Sequence, residues 1–198
     1  MTINIELSPF DLFDKWYEEA KEAEPSDPNA MTLASVSVDG KPSARIVLLK
    51  EWDKDGYVFY TNFESRKGQE VLATKNVAIC FHWKSLKKQI RIEGIATPVS
   101  DEQAQAYFDT RPRMSRIGAW ASMQSQPLDK RETFEQRIKD FDTKFDGQEY
   151  FPKPPHWSGF RVTPENFEFW EELDFRLHNR FIFTQKDGDD WIAQRLYP

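Results

Sequence analysis

The sequence has a single cysteine in 198 residues, Cys80, so no internal disulfide can form, and the chain suits a reducing, cytoplasmic setting. It has no apolar run approaching the roughly 18 residues that a membrane-spanning helix needs. The opening Met1-Thr2-Ile3-Asn4-Ile5-Glu6 lacks the basic-then-apolar order of a secretory leader. No internal repeat or low-complexity tail is present. With a net charge of −6, the chain also lacks the basic excess of a general nucleic-acid binder. No clustered metal-ligand set, paired acid and base or activated nucleophile stands out. Cys80 sits in the strand-like Val77-Ala78-Ile79-Cys80-Phe81, where a thiol behaves as a small buried apolar group.

What is present points to strands and a ligand pocket. Aromatic residues make up 15% of the chain, which favours sheets and flat-ligand sites over a helical bundle. The length fits one domain over residues 1–198, with a helical segment at 1–28 and a strand-rich portion at 150–198. Cations gather locally in this acidic chain: Lys41, Arg45 and Lys50, then Arg66 and Lys67, then Arg111, Arg113 and Arg116. Such clusters suit small anions rather than a polyanion. The run from Lys84 to Lys88 reads instead as a hairpin turn.

Local signals set the order of elements. Ser8-Pro9-Phe10-Asp11 opens a helix that runs to about Ala23, with Phe10, Phe13, Trp16, Tyr17 and Ala20 at helical spacing. Strands Met31 to Val38 and Pro42 to Lys50 flank the turn signal Asp39-Gly40. Asp53-Lys54-Asp55-Gly56 turns into Tyr57 to Thr61, so the first half reads as a β-meander. Ser65 caps a short helix from Arg66 to Thr74. Strands Val77 to Trp83 and Gln89 to Val99 follow. A capping box at Ser100 starts a helix bearing Tyr107 and Arg111, and Leu128 to Phe145 forms another, with Phe134, Ile138, Phe141 and Phe145 as a packing stripe. The remainder reads as strands: Trp157 to Val162, Asn166 to Trp170, Phe175 to Thr184 and Trp191 to Leu196, with a turn at Asp187-Gly188-Asp189.

Four clusters carry chemistry. In Arg45-Ile46-Val47-Leu48-Leu49-Lys50, alternation places Arg45 and Lys50 on opposite faces of a strand, with backbones roughly 16 Å apart. That suits two phosphates on the two sides of one strand, and equally the charged ends of a core strand. Arg66 and Lys67 in a first helical turn oppose the helix dipole, a conflict that a bound anion resolves. Tyr107, Arg111 and Ser115, four residues apart, form either a phosphate cradle or an exposed polar stripe, with Pro112 interrupting the helix. Arg176, His178 and Arg180 alternate as though on one strand face, which favours an anion or flat ligand beside them.

Phe167-Glu168-Phe169-Trp170 followed by Arg176-Leu177-His178-Asn179-Arg180 closely resembles the C-terminal signature of the pyridoxamine 5′-phosphate oxidase family. Arg45 to Lys50, Tyr60-Thr61, Ser65-Arg66-Lys67, Tyr107-Phe108, Arg111-Pro112-Arg113, Ile117-Gly118-Ala119-Trp120 and Gln124-Ser125 resemble that family's other blocks, in the same order. The resemblance spans Ala30 to Pro198. Glu171 stands where the family usually carries a small or neutral polar residue, and Asn179 where Asp is commoner.

The resemblance implies an α+β, mainly antiparallel chain folded as an FMN-binding split β-barrel with peripheral helices. It implies a homodimer with FMN at the interface. Arg45, Arg66, Lys67 and Ser125 then match the surroundings of the FMN phosphate. Ile46, Val47, Leu48, Leu49, Lys50, Tyr60, Thr61, Gln89, Gln124, Trp170 and Arg180 match the rest of the cofactor site. Lys50, Tyr107, Arg111 and Ser115 match the substrate-phosphate cradle, and Arg176, Leu177 and His178 match the residues around the pyridine ring, with Arg176 and His178 closest to the chemistry. The implied reaction passes hydride from C4′ of pyridoxine or pyridoxamine 5′-phosphate to the flavin, with O2 as acceptor and hydrogen peroxide released. A related flavin oxidase of phenazine-biosynthesis type, or a non-catalytic FMN- or pyridoxal-phosphate-binding protein, is the alternative.

Overall fold

The computed structural model describes residues 3–186 and 190–198; the expected turn at Asp187-Gly188-Asp189 lies outside the described residues. Helix α1 (Pro9–Ala23) begins as the sequence predicts, with Ser8 Oγ accepting from the Asp11 N–H at 3.1 Å. Its apolar stripe packs across one face of a sheet. The Phe13 ring lies 4.8 Å from Tyr57 and 5.4 Å from Phe81, and Trp16 lies 5.2 Å from Phe169. These rings are buried, and such aromatic pairs stabilise a core beyond their burial by about 0.5–1.5 kcal/mol each.

The sheet contains β1 (Ala30–Val36), β2 (Pro42–Leu48), β3 (Glu51–Asp53), β4 (Gly56–Asn62), β5 (Asn76–Trp83), β6 (Lys88–Pro98), β7 (Trp157–Glu171), β8 (Asn179–Gln185) and β9 (Trp191–Arg195). All described pairings are antiparallel. The order is β2-β1-β5-β6-β7-β4-β3, with β8 also on β7 and β9 on β8. The expected meander stops at β4, which pairs with β7 from the far end of the chain rather than with β2. The two strands expected at Trp157 to Val162 and Asn166 to Trp170 are one strand, β7. Its first half pairs with β4 and its second half with β8, while β6 runs along its other edge.

That division depends on a bulge. Opposite Glu93 and Gly94 the register slips by one residue at Pro164 to Asn166. A Cβ on Gly94 would stand 2.1 Å from the Thr163 carbonyl oxygen, so only glycine permits this approach. Pro164 removes one ladder N–H at the same point.

Helix α2 (Arg66–Thr74) follows β4, and α3 (Asp101–Thr110), α4 (Arg113–Ala121) and α5 (Arg131–Lys144) lie in a row before β7. They enclose a second, smaller core of Phe108, Ile117, Phe145, Phe151 and Trp157, with Ile138 and Phe141 of α5 packed against it. No described helix is long and apolar enough to cross a membrane.

Candidate active site

A cavity of about 600 Å³ opens between the sheet and the α3–α4 helices. Its sheet wall is Ile46, Val47 and Leu48 of β2, and its base is Tyr60 to Asn62 at the end of β4. Strand β2 ends at Leu48 rather than Lys50. The Leu49 N–H donates to Asn29 O and the Lys50 N–H to Val58 O, so the chain leaves β1 and crosses towards β4. Leu49 is buried in the core, whereas Lys50 opens into the cavity.

The helix side shows why the predicted four-residue stripe is broken and yet effective. Helix α3 stops at Thr110, Arg111 is extended at its C-terminus, and Pro112 starts α4. Arg111 and Ser115 are therefore not on one helix with Tyr107, but all three line the cavity. Tyr107 stacks on Tyr60 at 4.0 Å and 8° between planes, and Tyr60 on Trp157 at 5.3 Å and 5°. The Arg111 guanidinium lies 5.0 Å from the Trp157 ring centre, and its Nη1 is buried with no hydrogen-bond partner among the described residues. Burial lowers its pKa, partly offset by Tyr107. The Tyr60 hydroxyl donates to Glu51 Oε1 at 2.7 Å, while Glu51 Oε2 accepts from Gln103 Nε2 at 2.7 Å. Burial and then that carboxylate raise the Tyr60 pKa, so the phenol stays protonated.

Lys50, Lys67 and Arg111 all line this cavity, and among the described residues its lining includes no carboxylate. In a chain of net charge −6, this cavity is locally cationic, a lining that suits an anion. Lys67 reaches the cavity from the start of α2, where its Nζ donates to Gln124 Oε1 at 3.1 Å and to Ser65 Oγ at 3.3 Å. Burial, with the nearby Arg45 charge, lowers the Lys67 pKa.

Arg45 and Arg66 stand behind this wall. Alternation along β2 turns Arg45 away from the cavity, towards Ser35, Ser43 and Glu70. Arg66 Nε donates to Glu70 Oε1 at 2.8 Å. Glu70 also accepts from the Ser35 and Ser43 hydroxyls, at 2.6 and 2.5 Å. Its burial pushes the carboxyl up, but Ser35, Ser43 and Arg66 outweigh this and hold the pKa down to about 2. Glu70 was not singled out from sequence. The available signal was its spacing of four from Arg66, which answers the misplaced first-turn cation.

The other predicted residues form a second group at the far end of β7. Gln89 pairs with Trp170, and Trp170 with Arg180, in adjacent strands. The His178 ring lies 4.6 Å from Trp170, and Arg180 Nε donates to Glu168 Oε1 at 2.9 Å. Arg176, His178 and Arg180 do not share a strand face. Pairing of Glu171 with Asn179 forces the chain to reverse across 172–178, and β8 begins only at Asn179. Arg176 falls in a single 3-10 turn in which Phe175 (φ 58°) and Arg176 (φ 62°) are left-handed. Arg176 and Leu177 are exposed, and His178 Nδ1 accepts from the Leu173 N–H at 3.2 Å. The two unusual residues answer each other, since Asn179 Nδ2 donates to Glu171 Oε2 at 3.1 Å. Ser125, left-handed at φ 71°, is exposed beside Gln124.

A curled antiparallel sheet with a helix-roofed, cationic and aromatic cavity defines a binder of flat, anionic ligands. Comparison with known proteins makes this specific. Residues 17–145 match the pyridoxamine 5′-phosphate oxidase family model, and residues 157–198 match the pyridoxine 5′-phosphate oxidase C-terminal dimerisation region. The pyridoxine/pyridoxamine 5′-phosphate oxidase of Gluconobacter oxydans is 54% identical, covering 99% of this chain and 97% of that protein. Its Brucella canis counterpart is 51% identical, covering 96% and 94%. Among solved structures, PhzG from Burkholderia lata in complex with tetrahydrophenazine-1-carboxylic acid superposes with a TM-score of 0.89 at 30% identity, covering 96% of this chain and 93% of that one. A related FMN-binding protein from Nostoc punctiforme, at 17% identity and a TM-score of 0.77, shares the split-barrel fold. The chain belongs to the pyridoxamine 5′-phosphate oxidase family, a family of oxidoreductases.

Proposed function

We propose that this protein oxidises pyridoxine or pyridoxamine 5′-phosphate to pyridoxal 5′-phosphate, using FMN and O2. The alcohol and O2 give the aldehyde and hydrogen peroxide; the amine also consumes one water and releases ammonia. The observation that carries the reading is the cavity lined by Lys50, Lys67, Arg111, three aromatic rings and, among the described residues, no carboxylate. The buried, unbonded Arg111 Nη1 is a donor lacking an acceptor, which a phosphate oxygen would supply. The donor set also fits FMN, a flat ring carrying one phosphate.

In this reading Lys50, Arg111 and the hydroxyls of Tyr107 and Ser115 hold the substrate phosphate. Anchoring the phosphate fixes where C4′ lies, which is catalysis by positioning. FMN, when bound, supplies the hydride acceptor and passes the electrons to O2. Arg66, Lys67 and Ser125 hold its phosphate with the Arg45 charge behind them, and Thr61, Gln89, Gln124, Trp170 and Arg180 surround the remainder. With the alcohol substrate, Arg176 steadies the negative charge that develops on its oxygen as the proton leaves. His178 hydrogen-bonds the 3-hydroxyl of the pyridine ring.

These roles require two copies of the chain. Trp157 lines the cavity, and Trp170 is thirteen residues further along β7, which at ~3.3 Å per residue is roughly 40 Å away. One flavin cannot touch both ends of that strand. A two-fold dimer brings the Trp170 end of one copy to the cavity of the other, in keeping with the match to a dimerisation region over residues 157–198.

A second reading, oxidation of a non-phosphorylated aromatic acid, rests on the likeness to the Burkholderia protein. The test is anaerobic mixing of the flavin-loaded protein with pyridoxine 5′-phosphate, pyridoxamine 5′-phosphate or an aromatic carboxylate. Bleaching of the flavin by either phosphate ester, and peroxide formation in air, is expected. Bleaching by the carboxylate alone would move the assignment to the second reading. No bleaching by any of them would leave a binding protein.

A further inference from the structure

Resting on the FMN reading above, we propose that Glu70 is a positioning residue that builds the cofactor-phosphate site from behind. No block of the family resemblance includes this residue, and it does not line the cavity. It nevertheless lies where β1, β2 and α2 meet. Glu70 Oε2 accepts from Ser35 of β1 and Ser43 of β2, and receives Arg45 Nη2 at 3.5 Å. Glu70 Oε1 takes the Arg66 Nε. The side chain is only 7% exposed, so this is a built-in junction rather than a surface ion pair.

The geometry does two things. Holding Arg66 by Nε leaves both of its Nη groups without a hydrogen-bond partner among the described residues, free for an outside anion. Arg45 is fixed by Glu70, by the Ser35 and Ser43 hydroxyls and by Leu33 O, which keeps its charge close to Lys67. Three cations on two neighbouring elements would otherwise repel each other and splay. With one carboxylate among Arg45, Arg66 and Lys67, the group keeps two positive charges. That equals the charge of a phosphate monoester above its second pKa of about 6. Gly68 packs α2 tightly here, since a Cβ would stand 2.5 Å from the Asn62 and Phe63 carbonyl oxygens. The helix start therefore cannot shift to replace the lost orientation.

The competing effect is that Glu70 itself repels an arriving phosphate, so removing it could tighten binding. The two arginines already neutralise that carboxylate, and the convergence they gain outweighs the repulsion. The test separates these effects by using riboflavin, which has the same ring without the phosphate. Full-length apoprotein, as wild type, E70Q and S43A, is titrated with FMN and with riboflavin by flavin fluorescence. E70Q should weaken FMN by at least about tenfold and leave riboflavin within about twofold. S43A, which removes a hydroxyl shared by Glu70 and Arg45, should lower FMN affinity several-fold in the same selective way. Equal losses for both flavins would make Glu70 merely structural and overturn the proposal. Unchanged or tighter FMN binding would also overturn it, making Glu70 only a countercharge. A wild type that binds FMN no better than riboflavin would overturn the cofactor-phosphate reading itself.

Discussion

A guanidinium nitrogen buried without an acceptor destabilises the fold that holds it, by roughly 1–3 kcal/mol. Arg111 carries such a nitrogen, and its contacts with the Trp157 and Phe108 rings offset part of the cost. Stability and ligand binding therefore oppose each other at this residue. Arg111→Leu keeps an apolar body over Trp157 and removes the orphan donor. The melting temperature without ligand should stay level or rise, while KM for the phosphorylated substrate rises by about ten- to a hundredfold, the value of a lost charge-assisted pair. Thermal melts paired with initial-rate kinetics check both arms. A large drop in melting temperature would show that Arg111 is part of the structural core instead. Tyr107, Arg111 and Ser115 all line one cavity, and that they belong together was legible in the sequence from their spacing. The reason they converge was not. They meet through an extended residue and a proline between two helices rather than along one helix.

At the scale of elements, what the chain writes locally was readable. Ser8, Ser65 and Ser100 each cap the helix that follows, because a cap needs only a hydroxyl within three residues. Long-range pairing was not readable. The strand expected through Arg176 and His178 fails because the β7–β8 register places the reversal there, and no residue within 172–178 states that register. Likewise β4 joins β7 across about half the sequence, a choice made by the curl of the sheet and not by any turn. The bulge opposite Gly94 lies on the same strand beside that pairing, and it has a measurable consequence. Gly94→Ala places a methyl group 2.1 Å from Thr163 O, and backbone must shift to admit it. A loss of roughly 1–3 kcal/mol in urea unfolding is expected, with flavin content falling as β7 loses its alignment. An unchanged midpoint would show that the bulge tolerates a side chain.

At the scale of the whole molecule, the proposed site draws on residues at opposite ends of β7, and in that reading a second copy joins them. The exposed Phe175 and Leu177, at 93% and 64%, flank Arg176 on a left-handed turn. A bulky residue in that conformation is strained, and the strain persists only where surrounding contacts compensate for it. In the proposed dimer, burial of this turn against the partner's cavity provides those contacts and brings Arg176 to the substrate. The arrangement makes a prediction that no single-chain site shares. R111A and R176A, each nearly inactive alone, carry their lesions in different halves. When the two are unfolded together and refolded, half the dimers should be mixed, and each mixed dimer has one site intact in both halves. Activity should recover to roughly a quarter of wild type, as random pairing of a two-fold dimer requires. A mixture that remains as inactive as its components, with mixed dimers verified by a tag on one variant, would place Arg111 and Arg176 in the same copy's site. The roughly 40 Å along β7 would then have to be spanned within one copy, and the two-copy site would be wrong.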